Sequence, residues 1–311
     1  MRRRQVLVAG AGAAVLLGTG CPHAAPATTT AMPSTTPVAT AAAAGVWNRA
    51  IAVPGLVALN KGRYAGVSSV SCLSPGSCAA GGDYRDDGGH QQGFVVSKVS
   101  GRWRQAIEVP GLGALNKGRN ADAVSVSCAS AGCAAGGYYG NHGKYDVTSG
   151  RGFVVLRRHG RWRRAVEVPG LRALNTGGNA EVSSVSCAPP GYCAAAGFYT
   201  DGSSHQQGFV AVEQNGVWGR AIEVPGLGAL NKGEGAVVWS VSCASPGNCA
   251  AGGDYDLGVF VAIEKNGAWG KETTVPGALR VEAVNSVSCA SAGSCVAGGS
   301  YDGRGYQGFV T

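Results

Sequence analysis

The chain has 311 residues, of which 52 are glycine and 14% are charged, and its formal net charge is +8. This composition disfavours helices, so it argues against a helical bundle and favours short strands joined by turns. Without the three arginines of the N-terminus, the chain has 23 basic and 18 acidic residues. We expect no nucleic acid partner and only a weak attraction for anionic polymers of the cell envelope.

Residues 1–21 have the features of a signal peptide. Three arginines precede an apolar run over 6–17, which is shorter than the about 20 residues that cross a bilayer. Residues 19–21 resemble the lipidation site of a bacterial lipoprotein, although glycine precedes them where that pattern has an aliphatic residue. Ordinary cleavage near 25–27 is the alternative, and a loose twin-arginine pattern leaves the export route open. We expect an exported protein, extracellular or on the cell surface, whose only membrane contact is a lipid on Cys21.

Residues 22–44 are almost entirely Ala, Thr and Pro. Such a segment cannot bury enough surface to fold, so the sequence predicts a disordered linker. The folded domain is predicted over 45–311.

Five repeats fill residues 45–311. Each has one tryptophan of a regular series, followed by an apolar stretch that ends in Val-Pro-Gly or a close variant. The spacing of 51 to 59 residues between these tryptophans is about the length of a propeller blade. The series is Trp47, Trp103, Trp162, Trp218 and Trp269.

Each repeat predicts four strands, named a to d. Strand a ends in Val-Ser-Cys, a short turn leads to strand b with Cys-Ala-Ala-Gly-Gly or a variant, and a polar loop leads to strand c. In one repeat the Asn-Gly at 215–216 predicts a hairpin between strands c and d. In that strand d, a period of two places Ile222 and Val224 on the side of Trp218 and Ala221 on the other side.

Four-stranded antiparallel units repeated five times predict an all-β fold, a five-bladed β-propeller. The folded region starts with a strand d at 46–53 and ends with a strand c at 308–311. Pairing of these two ends would complete the fifth blade and close the ring. A linear β-solenoid is the alternative, but it would leave both edges open to aggregation. We expect a monomer.

Eleven cysteines are present, and all but Cys21 form close pairs inside the repeats. At the facing ends of strands a and b such pairs are within disulfide reach in an oxidising compartment. No repeat brings together the two ligand pairs that a zinc site needs, so we expect no metal and no cofactor. The pairs are Cys72 with Cys78, Cys128 with Cys133, Cys187 with Cys193, Cys243 with Cys249 and Cys289 with Cys295.

The combination of Val-Ser-Cys, a five-residue turn, Cys-Ala-Ala-Gly-Gly, Gly-Phe-Val-Val, Trp and Val-Pro-Gly resembles the paired-cysteine propeller repeats in secreted proteins of high-GC actinobacteria. The resemblance covers 45–311 and implies an extracellular location, but no activity. Five-bladed lectins are similar in architecture alone, because their sugar-binding residues have no positional match in this sequence.

The b–c and d–a loops are predicted to share one end of the ring, because strands reverse direction at each turn. Each b–c loop begins with a tyrosine that is followed by an acidic or amide residue. A flat ring beside a hydrogen-bond acceptor suits a sugar, so we predict a face that binds carbohydrate or a cell-envelope polymer. The residues are Tyr84 with Asp86, Tyr139 with Asn141, Tyr199 with Asp201, Tyr255 with Asp256 and Tyr301 with Asp302.

Other interpretations of these residues stay open. The tyrosines can pack between blades, and Asp or Asn can simply shape the turns. His90, His142 and His205 are confined to three repeats, so they do not predict a metal ring. No motif of a known hydrolase or nucleotide-binding enzyme is present, and we predict no catalytic residue. An envelope scaffold that binds proteins is the alternative function, and a glycoside hydrolase or lyase with carboxylates at the axis is the second alternative.

Overall fold

The computed structural model describes residues 49–117, 120–140, 149–231, 235–256, 258–275, 281–302 and 306–311. The signal peptide, Cys21, the linker at 22–44 and Trp47 lie outside the described residues, as do Asn141 and the side chain of Asp302. Residues 50–311 form one compact unit. In the part of the chain that the structure describes, no helix is long and apolar enough to cross a membrane.

Five antiparallel sheets follow one another along the chain, one per repeat, and we call them blades 1 to 5. Each begins with three long strands that pair in chain order. Blade 1 contains β1 (Ala65–Ser74), β2 (Ser77–Arg85) and β3 (Gln91–Val99), and blade 2 contains β6 (Asn120–Ala129), β7 (Gly132–Gly140) and β8 (Gly150–Arg158). Blade 3 contains β11 (Ala180–Ala188), β12 (Tyr192–Thr200) and β13 (Gln206–Gln214), and blade 4 contains β16 (Ala236–Ser245), β17 (Asn248–Tyr255) and β18 (Gly258–Lys265). Blade 5 contains β21 (Val281–Ser291), β22 (Ser294–Asp302) and β23 (Tyr306–Val310).

The fourth strand of blades 1 to 4 is split into two short segments that both pair with the third strand. The segments are β4 (Arg102–Trp103) and β5 (Ile107–Glu108), β9 (Arg161–Trp162) and β10 (Val166–Glu167), β14 (Val217–Trp218) and β15 (Ile222–Glu223), and β19 (Ala268–Trp269) and β20 (Thr273–Thr274). The break has a clear cause in blade 3, where the N–H of Ala221 turns away and donates to the carbonyl of Pro169 in the preceding repeat at 2.7 Å. The predicted all-β architecture of five antiparallel blades is thereby confirmed, with a split fourth strand in blades 1 to 4 and three strands in the described part of blade 5.

The predicted alternation along the fourth strand is wrong. Trp218, Ala221 and Val224 are all buried, whereas Ile222 is 45% exposed. Because the strand breaks between Trp218 and Ile222, the period of two does not run through it. Val224 instead turns into the space between blades 3 and 4.

A four-residue helix follows each described Val-Pro-Gly sequence, which the sequence predicted only as a loop. The helices are α1 (Leu56–Leu59), α2 (Leu112–Leu115), α3 (Leu171–Leu174) and α4 (Leu227–Leu230). The glycine before α2, Gly111, has φ 77°, a left-handed conformation that favours glycine. The first leucine of the same helix, Leu112, is fully buried between blades 1 and 2. Helices α2, α3 and α4 therefore each fasten one blade to the next, because their first leucines lie in clusters shared by two blades, whereas no residue of α1 is buried.

Neighbouring blades interlock through a glycine on one side and two valines on the other. A Cβ on Gly136 of blade 2 would lie 2.5 Å from Val182 Cγ1 and 3.0 Å from Val185 Cγ1 of blade 3. The same pattern recurs at Gly252, which faces Val284 and Val287. The missing side chain of this glycine in the Ala-Gly-Gly segment therefore allows the blades to pack closely.

The predicted closure of the ring remains a prediction. Residues 49–53 form no strand, and in the described part of blade 5 the only sheet neighbour of β23 is β22. Residues 46–48, which complete the predicted closing strand, lie outside the described residues. Val53 packs against blade 1, with Phe94 in the same apolar cluster.

All five predicted disulfides are present, each joining the facing ends of the first and second strands of one blade. In blade 4, for example, Cys243 lies directly opposite Cys249 in the register of the hairpin. The bridges therefore fasten the hairpins within blades and do not join one blade to another.

Candidate functional site

The two ends of the blades differ as the sequence predicts. At one end, the N–H of Gly62 in a d–a loop donates to the carbonyl of Arg85 at the start of a b–c loop. At the other end, the N–H of Gly101 in a c–d turn donates to the carbonyl of Gly76 in an a–b turn. We call these the loop end and the turn end.

The loop tyrosines of blades 1 to 3 are part of the core. Tyr84, Tyr139 and Tyr199 are 3%, 5% and 3% exposed. Each hydroxyl donates to a glutamate of the same blade, as in the Tyr199 to Glu223 bond of 2.9 Å. Rings this deeply buried have no free face for a sugar, so their placement fits the packing interpretation. The rings are buried because they project from the strand face that points between blades.

The remaining predicted tyrosines are less buried. Both Tyr255 and Tyr301 are partly exposed. Tyr255 packs against the apolar cluster between blades 3 and 4, and Tyr301 packs against the cluster between blades 4 and 5.

The loop carboxylates Asp86 and Asp201 are engaged by their own loops, whereas Asp256 accepts a hydrogen bond at 2.7 Å from the N–H of Gly235 in the neighbouring d–a loop. Asp86 accepts hydrogen bonds from the N–H of His90 at 2.9 Å and from Gln92 Nε2 at 3.0 Å. Asp201 accepts from the N–H of His205 at 3.0 Å in the same way. These bonds hold the pKa of Asp86 and of Asp201 below its usual range, against the opposing effect of burial. The Asp–His pairs thus shape the loops.

The structure reveals a second group of side chains on the opposite face of the same strands. In blade 1 the residue before Tyr84 is Asp83, which pairs with Gly66 of β1, and the equivalent register position in blade 2 holds Tyr138 opposite Asp122. The first strands of consecutive blades pack against one another, so these positions follow one another from blade to blade, on the side that the predicted ring would turn towards its axis. We call the group the axial mouth; it consists of Ser68, Asp83, Gln91, Asp122, Tyr138, Glu181, Trp239 and Asp254.

Hydrogen bonds tie the axial mouth together across blades. Ser68 Oγ of blade 1 donates to Asp122 Oδ1 of blade 2 at 3.2 Å. Gln91 Nε2, at the start of β3, donates to Asp83 Oδ2 at 3.0 Å. The carboxylates are therefore held at fixed positions beside one another.

The negative charges of three blades act on each other in the axial mouth. Burial, together with the nearby Asp83 charge, raises the pKa of Asp122 to about 6, although the hydrogen bond from Ser68 opposes the shift. Burial, and then the Asp122 charge, raises the pKa of Glu181 to about 7. The pKa of the Tyr138 hydroxyl is raised by burial and then by Asp122, Glu181 and Asp83. These three blades therefore converge on one polar site that titrates near neutral pH.

Blade 4 contributes an aromatic ring to the mouth. Trp239 is 42% exposed, and its indole N–H donates to Asp254 Oδ1. Burial raises the pKa of Asp254 to about 6, against the effect of that hydrogen bond. An exposed indole held by a carboxylate gives the mouth a flat apolar face beside a hydrogen-bond acceptor.

Sequence reasoning missed the axial mouth because it followed the tyrosines. Asp83 and Asp254 each stand one residue before a loop tyrosine, so strand alternation places them on the other side of the strand. This alternation of side chains along the strand was the sequence signal from which Asp83 and Asp254 could have been predicted. Among the residues that the structure describes, no group of three His, Cys, Asp or Glu side chains could hold a metal ion.

No protein-family model and no curated protein matches the chain. Among solved structures, the chain is similar to the Hadza microbial sialidase Hz136, with 10% identity over 80% of this chain and 56% of that one and a TM-score of 0.47. It is also similar to a protein of unknown function from Dyadobacter fermentans, with 12% identity, 81% and 80% coverage and a TM-score of 0.48. It is similar as well to the Aleuria aurantia lectin, with 9% identity over 79% of this chain and 78% of that one and a TM-score of 0.37. The chain thus spans little more than half of the sialidase, and likenesses this weak transfer no activity to it.

Proposed function

We propose that the protein binds a carbohydrate at the axial mouth. The observation that carries the proposal is the exposed Trp239 ring beside Asp254, in a mouth that also holds carboxylates from three other blades. A flat ring can cover the C–H face of a sugar, and fixed carboxylates can accept hydrogen bonds from its hydroxyls.

The charge of the mouth selects among sugars. None of its eight residues is basic, and four of them are carboxylic acids. An acidic sugar would therefore be repelled by the ionised carboxylates, whereas a neutral or an amino sugar would not. We infer a neutral or amino-sugar glycan as the ligand.

A glycan array of neutral, amino and acidic sugars, read with the domain over 45–311, tests this proposal. We expect retention of neutral or amino glycans and at least a tenfold loss of affinity in Trp239→Ala, with part of the affinity restored in Trp239→Phe. Tyr64→Ala is the matched control, since Tyr64 is a 56% exposed aromatic residue immediately before β1 that is not one of the residues of the mouth. If no glycan is retained, or if Trp239→Ala binds as the parent does, the proposal fails and an envelope scaffold becomes the better explanation.

Glycoside hydrolysis is a second candidate at the same site. The observation that favours it is the pairing of Asp122 and Glu181, two neighbouring carboxylic acids whose pKa values are raised to about 6 and about 7. Such acids can exchange a proton near neutral pH, as the cleavage of a glycosidic bond requires. Release of reducing ends from a retained glycan, abolished in Glu181→Gln, would establish the activity. Retention without release in the parent protein would exclude it for that glycan.

Export is part of the proposal. Five disulfides are typical of proteins outside the cytoplasm, and the sequence begins with a lipoprotein-like signal. Mass spectrometry of the mature N-terminus tests the lipid anchor. A lipid on Cys21 would support anchoring, whereas a mature N-terminus near 25–27 would show that the protein is secreted without an anchor.

A further inference from the structure

The basic residues are concentrated on one part of the molecule. The segments 98–107 and 156–166 together contain eight lysine and arginine residues and no acidic residue. The rest of the chain, apart from the three arginines of the leader, then has 15 basic and 18 acidic residues. The excess of positive charge outside the leader is therefore confined to these two segments. The eight residues are Lys98, Arg102, Arg104, Arg157, Arg158, Arg161, Arg163 and Arg164.

The fold brings the two segments together. They are the outer hairpins of blades 1 and 2, and the indole N–H of Trp162 donates to Ser97 Oγ across the interface at 3.1 Å. Beside this bond lies a groove of about 540 Å³. Arg104 and Ile107 of blade 1 line one side, and Arg157 and Arg161 of blade 2 line the other. We call this the basic groove.

Arg157 is the least compensated charge in the basic groove. Its Nε is buried and has no hydrogen-bond partner among the described residues, and burial alone lowers the pKa of its guanidinium. The neighbouring Arg158, in contrast, forms a 2.7 Å ion pair with the fully buried Glu213 of blade 3. A partly buried guanidinium without a carboxylate beside it favours the binding of an anion.

The same position carries the opposite charge in the next two blades. Arg157 lies opposite Trp162 in its sheet, and the residues opposite the corresponding tryptophans are Glu213 and Glu264. Both glutamates have a partner from the preceding blade, since Arg158 Nη2 donates to Glu213 and the Tyr192 hydroxyl donates to Glu264 Oε1 at 2.5 Å. Within the described blades, the junction of blades 1 and 2 is therefore distinct.

We propose that the basic groove binds the anionic groups of an acidic polysaccharide. Guanidinium groups pair with carboxylate, sulfate or phosphate in a bidentate manner, and the accessible apolar surface of Val99 and Ile107 suits the sugar rings between those groups. The groove includes Gly160 and Arg161 next to a c–d turn, so it lies toward the turn end, away from the axial mouth. Acidic and neutral sugars would thus bind at different places.

A polysaccharide suits the groove better than a nucleic acid. Single-stranded nucleic acids bind proteins through exposed aromatic rings on which their bases stack. The aromatic residue of the groove, Trp162, is half-buried, and its indole N–H is already bonded to Ser97. The groove therefore offers charge and apolar contact but no free stacking surface.

Binding to dextran sulfate and to polygalacturonate, with neutral dextran as the reference polymer, tests the inference and distinguishes sulfate from carboxylate as the recognised group. We expect retention of at least one of the two polyanions and none of neutral dextran. With about three charges neutralised, affinity should fall roughly 20-fold between 50 mM and 200 mM salt. The variant Arg104→Gln/Arg157→Gln/Arg161→Gln should lose at least tenfold in affinity.

Two controls separate this site from general electrostatics and from the axial mouth. Lys61→Gln/Arg172→Gln/Lys265→Gln removes the same charge from exposed positions elsewhere and should change affinity less than threefold. Trp239→Ala should leave polyanion binding unchanged, so failure of the proposed function would not affect this result. Equal losses in the two triple variants, or tighter binding of single-stranded DNA than of both polysaccharides, would overturn the inference.

Discussion

The hydroxyl oxygen of Ser125 in blade 2 accepts a hydrogen bond from the backbone N–H of Val185 in blade 3 at 3.0 Å. Two residues further on, Ser127 Oγ accepts from the N–H of Cys187 at 2.9 Å. The same two bonds recur at each of the other described junctions between consecutive blades. The repeated Ser-Val-Ser-Cys sequence therefore joins blades as well as closing a hairpin.

Replacing both serines of blade 2, in Ser125→Ala/Ser127→Ala, should lower the free energy of unfolding by about 2 to 4 kcal/mol, because two backbone N–H groups lose their acceptors at a packed junction. Urea unfolding followed by circular dichroism measures the change. Ser183→Ala is the control, since the Ser183 hydroxyl is buried without a hydrogen-bond partner among the described residues and its loss should cost less than 1 kcal/mol. Equal effects of the two variants would show that the serine bonds do not stabilise the junction.

Closure of the ring can be tested with the same motif. Val67 and Val70 of blade 1 are 52% and 61% exposed, whereas their counterparts in the other blades, such as Val182 and Val185, are buried. Within the described residues, Ser286 and Ser288 of blade 5 accept no bond from another blade. We expect these two faces to meet when residues 46–53 pair with 308–311.

If the ring closes in this way, Ser286→Ala/Ser288→Ala should destabilise the protein as much as the double change in blade 2, and deletion of 45–54 should cost far more than deletion of 22–44. Thermal melts of the four proteins provide the comparison, with the mass in solution measured by light scattering. A monomer that tolerates both the serine changes and the deletion of 45–54 would be an open solenoid. A dimer that both changes dissociate would place the contact between two copies.

Each disulfide closes a loop of only five or six residues in sequence separation. A bridge of this span should stabilise the fold by about 2 kcal/mol through the entropy of the unfolded chain. We expect Cys243→Ala/Cys249→Ala to lose about that amount while the other four bridges remain. Non-reducing peptide mapping of the exported protein should find five bridges, each within one blade, and no alkylated cysteine. A bridge between blades would contradict the hairpin arrangement.

The fold was predictable because its signals are local and repeated. Cysteines at facing strand ends, Asn-Gly turns and the tryptophan spacing each report on one blade. The split fourth strand was not predictable from alternation, because its cause is a hydrogen bond from Ala221 to Pro169 of another repeat. The axial mouth and the basic groove were missed for a similar reason, since Asp122 meets Glu181, and Arg104 meets Arg157, only when blades lie side by side.

The axial mouth should make the protein less stable as the pH rises. The pKa values of Asp122 and Glu181 are about 6 and about 7 in the folded protein, above the ordinary values of 3.8 and 4.5 for these side chains. Since a raised pKa means that folding disfavours the ionised form, the penalty is absent below about pH 4 and complete above about pH 7. Asp83 faces the same site, and its pKa is raised in the same direction, chiefly by burial.

Neutral replacements in the mouth should therefore stabilise the protein at high pH and weaken its function. We expect Asp122→Asn and Glu181→Gln each to gain about 1 to 2 kcal/mol at pH 8, after allowance for their partial exposure, and to gain nothing at pH 4. Urea unfolding at the two pH values measures the difference, and Asp86→Asn serves as the control, because the lowered pKa of Asp86 means that its loss should destabilise the protein at pH 8. Both mouth variants should also lose affinity for the retained glycan, as expected where a site is built at the expense of stability. A stability gain that is the same at pH 4 and pH 8 would show that the carboxylates of the mouth are not held under electrostatic strain.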